Sequence, residues 1–238
     1  AVLADIDARG DVEAIYHAGD LVGYSVFPNE VVARLRERGI TGIAGNYDST
    51  VATAYKHCGC QSETPRQEEL AHISYAYTLG AVTPDTVRAL AALPFSLDVR
   101  PRGGHAPGPR LVLVHGTPTL NTLYWTEDRS DEFCRKMAAV VGLTSGDAIA
   151  FGHTHKPWHR VLEGVHFINT GSVGRPKDGD WRAGYVRLEL GDVEPRVEFV
   201  RVAYDVEAAA RCVIDEGLPE EFAEFLRTGG RPAARIVG

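Results

Sequence analysis

Short apolar runs alternate along the chain with segments in which apolar residues recur at helical spacing. The runs of strand length lie at 14–19, 40–44, 95–100, 111–114 and 147–151. The segments of helical spacing lie at about 28–38, 66–79, 84–92 and 130–141. Because strands and helices alternate, the pattern predicts an α/β fold in which helices cover a sheet.

Later in the chain, strict alternation of apolar and polar residues predicts antiparallel strands. The alternating segments are HRVLEG, VHFINT, AGYVRLEL and RVEFVRVAY, and two helices are expected at 205–216 and 219–227. A Pro/Gly-rich stretch at 101–109 predicts a hairpin between two of the earlier strands. The 238 residues contain no repeat and no long linker, so we expect one domain over 1–238.

The first ten residues, AVLADIDARG, have the pattern of a helix. Val2, Leu3 and Ile6 are spaced for one helical face, and Gly10 is a typical helix end. No capping residue precedes this helix, so we expect its start signal upstream of Ala1. By usual element lengths, a strand and a turn would add about 15–20 residues there.

Composition narrows the classes of function. Apolar runs such as AIAF (148–151) fall far short of the roughly 18 residues that a membrane helix needs. With 25 basic and 32 acidic residues, the net charge is −7, so no basic surface is expected for nucleic acid or for an anionic membrane. The four cysteines indicate reduced thiols and a cytoplasmic protein. Cys58-Gly59-Cys60 lacks the spacing of a zinc knuckle and is expected to be a loop.

Polar side chains follow four of the predicted strands. These clusters are Gly19-Asp20, Gly45-Asn46-Tyr47-Asp48, His115-Gly116 and Gly152-His153-Thr154-His155. Each has a structural explanation by itself, as a turn, a cap or a buried histidine. Together they lie where open α/β sheets bind ligands. Carboxylate, imidazole and amide ligands suit a pair of divalent cations such as Mn, Fe, Ni or Zn, and not a structural zinc ion.

These motifs, with FINTGSVG at 167–174, resemble those of the calcineurin-like metallophosphoesterase superfamily. The sequence is most similar to its small bacterial and archaeal phosphodiesterases, over about residues 1–190. The resemblance implies a four-layer α/β fold, a β-sandwich flanked by helices. It also implies two divalent metal ions, with Mn favoured, and hydrolysis of phosphate esters, most of all diesters, by direct attack of metal-activated hydroxide.

The resemblance also implies a role for each candidate ligand. Asp20 would bridge both metals, whereas Asn46, His115 and His153 would complete the shell of the second metal. His155 would bind the first metal. The family's Asp-x-His motif, which completes that first site, has no match in Asp5-Ile6-Asp7. We therefore expect an incomplete first site in these residues, and the missing motif upstream of Ala1.

A second departure from the family pattern concerns catalysis. Tyr47 stands where many relatives carry a histidine that acts as general acid with a following acidic residue, here Asp48. A phenol, with an ordinary pKa near 10, donates a hydrogen bond but transfers protons poorly at neutral pH. We therefore expect a preference for activated esters or diesters. The alternative is that Tyr47 only packs.

A small phosphoester substrate needs local anion contacts in this acidic chain. Gly171, Ser172, Arg175 and Lys177 are candidates, and a tight turn with a solvated basic rim is the alternative. The alternative function is a non-catalytic binding or scaffold protein, because a retromer subunit resembles the superfamily. A nucleic-acid phosphodiesterase would need a basic groove.

Overall fold

The computed structural model describes residues 1–101, 108–191 and 194–231. The helices are α1 (Val2–Arg9), α2 (Pro28–Glu37), α3 (Asn46–Ala52), α4 (Pro65–Ala81), α5 (Pro84–Ala91), α6 (Asp131–Val140), α7 (Val206–Asp215) and α8 (Glu220–Thr228). The strands are β1 (Tyr16–His17), β2 (Thr41–Gly42), β3 (Ser96–Val99), β4 (Leu111–Val114), β5 (Ala148–Phe151), β6 (Trp158–Leu162), β7 (Val165–Asn169), β8 (Ala183–Glu189) and β9 (Arg196–Val202). The order of elements agrees with the prediction, but helix α3 is an element that the periodicity did not predict.

Five strands form the central mixed sheet, in the order β3-β4-β5-β7-β6. Strands β4, β5 and β7 are parallel, whereas β3 and β6 run antiparallel at the two edges. Strand β3 pairs with β4 as the predicted hairpin, although residues 102–107 between them lie outside the described ranges. The three parallel strands therefore end at one edge of the sheet, and their following loops meet there.

The central sheet is covered on both faces. From β4, Val112 and Val114 pack with α6 and Trp125, whereas Leu111 and Leu113 point to the opposite side. That opposite side is covered by the β8–β9 hairpin. The alternation of β4 thus separates two cores, and the predicted α/β sandwich with flanking helices is confirmed.

Helix starts follow the expected local signals. Thr64, Thr83 and Ser130 each accept a hydrogen bond from the third residue after them, which caps α4, α5 and α6. Helix α1 ends at Gly10, whose φ of 68° is left-handed. No helix within the described ranges is long and apolar enough to cross a membrane.

Strands β1 and β2 are shorter than predicted, since each has only two residues. They pair in parallel, so the loops that follow them lie side by side.

The expectation of reduced thiols is wrong for Cys58 and Cys60, which the structure joins in a disulfide. Their Cα atoms lie 5.4 Å apart, within disulfide range, because one residue separates them. Cys134 and Cys212 are free.

Truncation of the buried core should lower stability. Ile149 in β5 is fully buried between α6 and the sheet, so Ile149→Ala should reduce the free energy of unfolding by about 2–5 kcal/mol. Val140 is 54% exposed, so Val140→Ala is the matched control, with a change within about 0.5 kcal/mol. Urea unfolding measures both, and equal losses in the two variants would contradict the described core.

Candidate metal centre

Four side chains from four separate parts of the chain converge on one point. Asp20 follows β1, Asn46 begins α3, His115 follows β4 and His153 follows β5. The Nε2 atom of His115 lies 3.0 Å from Asn46 Oδ1, and 3.2 Å from both Asp20 Oδ2 and His153 Nδ1. The structure thus brings together the four residues that the resemblance assigns to the second metal.

The two imidazoles are oriented by backbone carbonyl groups. His115 Nδ1 lies 2.7 Å from the carbonyl oxygen of Ala18, and His153 Nε2 lies 3.2 Å from that of Thr122. A carbonyl only accepts, so these two nitrogen atoms carry the protons and donate. The opposite nitrogen of each ring, which faces the cluster, is then left with a lone pair.

The amide and carboxylate oxygens complete this set of acceptors. Asn46 Nδ2 donates to the carbonyl oxygen of Cys58 at 2.8 Å, which turns Oδ1 toward His115. With Asp20 Oδ2 and the neutral form of His115, four lone-pair atoms face one another. Such a set is repulsive unless a proton on His115 or a metal ion lies at its centre, and the mixed nitrogen and oxygen donors fit a divalent metal ion.

Charges within the cluster also favour a cation. Burial opposes ionisation of Asp20, but the surrounding imidazoles prevail and lower its pKa to about 2. Burial lowers the pKa of His153 to about 4, with a contribution from His115. Burial also acts to lower the pKa of His115, but the Asp20 carboxylate opposes this effect, and the pKa of His115 is raised. Asp20 is thus anionic and His153 neutral near pH 7, which are the forms that bind metals.

Three of the predicted ligands have an unusual backbone. Asp20, His153 and His155 have φ values of 54°, 59° and 60°. These values lie in the left-handed region, which residues other than glycine rarely adopt. Each such residue costs of order 1–3 kcal/mol and is typical of functional sites. The surrounding fold therefore keeps these residues in conformations that their own backbone preferences oppose.

Close contact between two loops positions Asp20. A methyl group on Gly45 would lie 2.1 Å from Asp20 Oδ1, and one on Gly19 would lie 2.3 Å from the amide nitrogen of Gly45. The buried carboxylate of Asp48 accepts hydrogen bonds from the amides of Asp20, Leu21 and Gly45 at 2.7–2.9 Å. Asp48 therefore joins the loop that carries Asp20 to the start of α3.

The predicted catalytic pair, Tyr47 and Asp48, lies inside the protein. Burial and the charge of Asp20 raise the pKa of Asp48 to about 7. Tyr47 is 2% exposed, its hydroxyl lies 3.0 Å from Ser74 Oγ, and its ring packs against Tyr24 and Tyr75. These contacts are structural, and the expected part of either side chain in catalysis stays a prediction.

His155 lies outside the tight cluster. The ligand atoms of Asp20, His115 and His153 all lie within 4.8 Å of one another, whereas His155 Nδ1 contacts the carbonyl oxygen of Arg175 at 2.6 Å. This bond leaves the other ring nitrogen of His155 unprotonated. Its role as a ligand of the first metal stays a prediction.

The acidic residues of α1, which do not match the family's Asp-x-His motif, form ion pairs with arginines. Asp5 pairs with Arg9, and Asp7 pairs with Arg38.

The residues predicted to bind substrate are two turn residues, Gly171 and Ser172, and two cations, Arg175 and Lys177. The Gly171 amide donates to Asn169 Oδ1, and Ser172 Oγ accepts from the Arg175 amide. Asn169 thus uses the Gly171 amide to close the turn, and the expected contacts of Gly171 and Ser172 with substrate stay predictions. Arg175 and Lys177 are close enough that burial and the charge of Arg175 lower the pKa of Lys177 to about 7.

Several aromatic residues around these cations were not predicted as part of the site. The Arg175 guanidinium carbon lies 3.7 Å from the ring centre of Tyr24 and 3.9 Å from that of Phe225. Tyr124 lies 4.2 Å from the ring of His153. Tyr24 follows Asp20 by four residues and Tyr124 follows Gly116 by eight, but neither tyrosine belongs to a motif that marks it as part of the site.

Comparison with known proteins identifies the family. A model of the calcineurin-like phosphoesterase superfamily domain matches residues 1–192. The chain belongs to this superfamily. This calcineurin-like phosphoesterase domain is 28% identical over 246 aligned residues to an uncharacterized protein of Methanocaldococcus jannaschii, a match that covers 96% of this chain and 91% of the relative.

Solved structures share the fold of this calcineurin-like phosphoesterase domain. A hypothetical protein of Pyrococcus horikoshii has a TM-score of 0.79 at 20% identity, covering 98% of this chain and 93% of that one. A metallophosphoesterase of Sphaerobacter thermophilus has a TM-score of 0.69 at 23% identity, covering 96% and 93%.

A divalent ion should stabilise the calcineurin-like domain through these ligands. At about 100 times its dissociation constant, a bound ion adds about 2.7 kcal/mol, so Mn²⁺ should raise the melting temperature of the wild-type protein. His115→Ala should abolish this shift, because it removes the central ligand. His72→Ala, on an exposed position of α4, is the control and should keep it. The same shift in both variants would argue against the cluster.

The close contact at Gly45 gives an independent test. Gly45→Ala should abolish Mn²⁺ binding in calorimetric titration, because the new methyl group overlaps Asp20 Oδ1. Gly80→Ala is the matched control, since nothing lies within 4 Å of the added methyl group. It should bind Mn²⁺ normally and gain about 0.5–1 kcal/mol of helix stability. Normal binding by Gly45→Ala would contradict the described loop contact.

Proposed function

We propose that this protein is a metal-dependent phosphoesterase that hydrolyses phosphodiesters. The observation that carries the proposal is the convergence of four lone-pair atoms, from Asp20, Asn46, His115 and His153. Membership of the calcineurin-like phosphoesterase superfamily supports the same reaction class. A metal held there would polarise phosphoryl oxygen and acidify water.

The chain's own residues bind and orient the substrate. Arg175 and Lys177 provide positive charge on the segment that contacts His155 through backbone atoms. Within the described ranges, no carboxylate forms an ion pair with either cation. The charge of Arg175 is therefore available to a phosphate group, and its guanidinium offers several N–H donors for the phosphate oxygens. Lys177, with its pKa lowered to about 7, is partly charged near neutral pH and gains its full charge beside an anion.

We further propose that Asp20 and His155 contribute to a second divalent ion. Asp20 has a second carboxylate oxygen, Oδ1, which accepts from the Tyr47 amide at 2.9 Å. His155 presents an unprotonated nitrogen opposite its bond to Arg175. Mn²⁺ is the first ion to test at this second position. The cytoplasmic location of the protein stays a prediction.

The character of Tyr47 supports diesters or activated esters as substrates. Burial raises its pKa far above the ordinary value of a phenol, so Tyr47 stays protonated and does not shuttle protons. Leaving groups that depart without a proton then react most readily. A phosphodiester with an aryl leaving group meets this requirement better than an unactivated alkyl ester, because a phenolate departs without a proton.

Hydrolysis of bis(p-nitrophenyl) phosphate tests the proposal. We expect turnover with Mn²⁺, its loss on chelation, and its loss in His153→Ala, because each change removes the metal or a ligand. Turnover of p-nitrophenyl phosphate compares the monoester under the same conditions. Absent turnover together with absent metal in elemental analysis would contradict the proposal and favour a scaffold protein on the same fold.

A further inference from the structure

The C-terminal helices lie beyond the residues that define the family, yet one of them reaches the candidate site. The family match ends at residue 192, and α8 spans Glu220–Thr228. The ring of Phe225 in α8 lies 3.9 Å from the guanidinium carbon of Arg175. Helix α8 therefore contacts a cation that the proposed function uses for substrate.

The second ring against Arg175 is held firmly by its own neighbours. Tyr24 packs 5.3 Å from Tyr47 and edge-on to Phe222 at 5.8 Å, measured between ring centres. The Tyr24 amide also donates to Ser74 Oγ at 2.8 Å. Tyr24 is therefore fixed between α3, α4 and α8, and provides a stable surface for the guanidinium.

The residues that follow α8 dock against the segment after Arg175. The Gly179 amide donates to the carbonyl oxygen of Gly229 at 2.9 Å. A methyl group on Gly230 would lie 3.0 Å from the Pro176 carbonyl oxygen. Gly229 and Gly230 have left-handed backbones, with φ values of 60° and 77°. This close fit fixes the position of α8 relative to Arg175.

The chemistry of the guanidinium explains what two rings can do for it. A guanidinium is planar, and its N–H groups point outward in the plane. Rings stacked against the cation stabilise it through its face. The N–H edge then remains available for two parallel hydrogen bonds to a phosphate. Because no carboxylate within the described ranges pairs with Arg175, an external anion is the expected partner of that edge.

We propose that α8 forms part of the substrate-binding site, and that Phe225 is a positioning residue that, with Tyr24, holds Arg175 ready for a phosphate group. This inference rests on the proposed function, because it assigns Arg175 to the substrate. It predicts that loss of the Phe225 ring weakens phosphate binding without slowing the reaction of bound substrate.

The test compares Phe225→Leu with Phe225→Tyr. Leucine keeps an apolar side chain but removes the aromatic face, so KM for bis(p-nitrophenyl) phosphate should rise roughly 5- to 30-fold with kcat unchanged. Tyrosine restores the face and should restore KM. Inorganic phosphate, titrated calorimetrically with Mn²⁺ and after chelation, should show the same loss of affinity in Phe225→Leu.

A double-mutant cycle separates positioning from general packing. In the Arg175→Ala background, Phe225→Leu should have no further effect on KM or on phosphate binding. Val213→Ala, a cavity in the same helical core, is the control and should change stability without changing either value. An equal effect of Phe225→Leu in both backgrounds would overturn the inference, as would a loss in kcat alone.

The two proposals can fail separately. If the wild-type protein shows no turnover but binds inorganic phosphate through Arg175 and Phe225, the proposed function fails and the role of α8 stands. If turnover occurs but Phe225→Leu leaves KM and phosphate affinity unchanged, the role of α8 fails alone. If the wild-type protein binds no phosphate, the role of α8 fails as well.

Discussion

The buried carboxylate of Asp48 is the interaction on which the candidate site depends. It accepts amide hydrogen bonds from Asp20, Leu21 and Gly45, and so joins two loops that are 25 residues apart in sequence. Because β1 and β2 have only two residues each, their short ladder alone is a weak support for these loops. A polar group buried in this way requires all of its bonds, so the loops have few alternative arrangements.

The central sheet supplies the other half of the site. Its parallel strands β4 and β5 end side by side, which brings His115 and His153 to one edge. The backbone carbonyls of Ala18 and Thr122 then set which nitrogen of each ring is protonated. The site is thus specified at two levels, since strand order brings the rings together and loop carbonyls determine what they present.

Sequence patterns could predict the elements and the polar residues that converge at the candidate site, because both depend on local signals. Hydrophobic periodicity indicates strands and helices, and the polar residues that follow strands mark the sheet edge. The pattern did not predict α3, since Asn46, Tyr47 and Asp48 are buried through tertiary contacts and not on an amphipathic face. The structural use of Asp48 was equally hidden, because its three partners are backbone amides that have no signature in a sequence.

The contact between Arg175 and Phe225 could not be predicted for a similar reason. Fifty residues separate the two, and neither belongs to a motif that implies the other. The Cys58–Cys60 disulfide likewise depends on how a loop closes beside Asn46, whose amide contacts the Cys58 carbonyl. Local signals describe which groups a chain offers, whereas pairings between distant segments depend on the folded structure.

Asp20 and His153 have left-handed backbones, a conformation that costs conformational energy, yet their side chains supply the groups of the candidate site. Glycine would adopt these conformations without steric penalty, but it would offer neither the carboxylate nor the imidazole that the cluster contains. The two residues therefore place backbone strain at the point where their side chains converge, and the rest of the fold must supply the free energy that keeps them there.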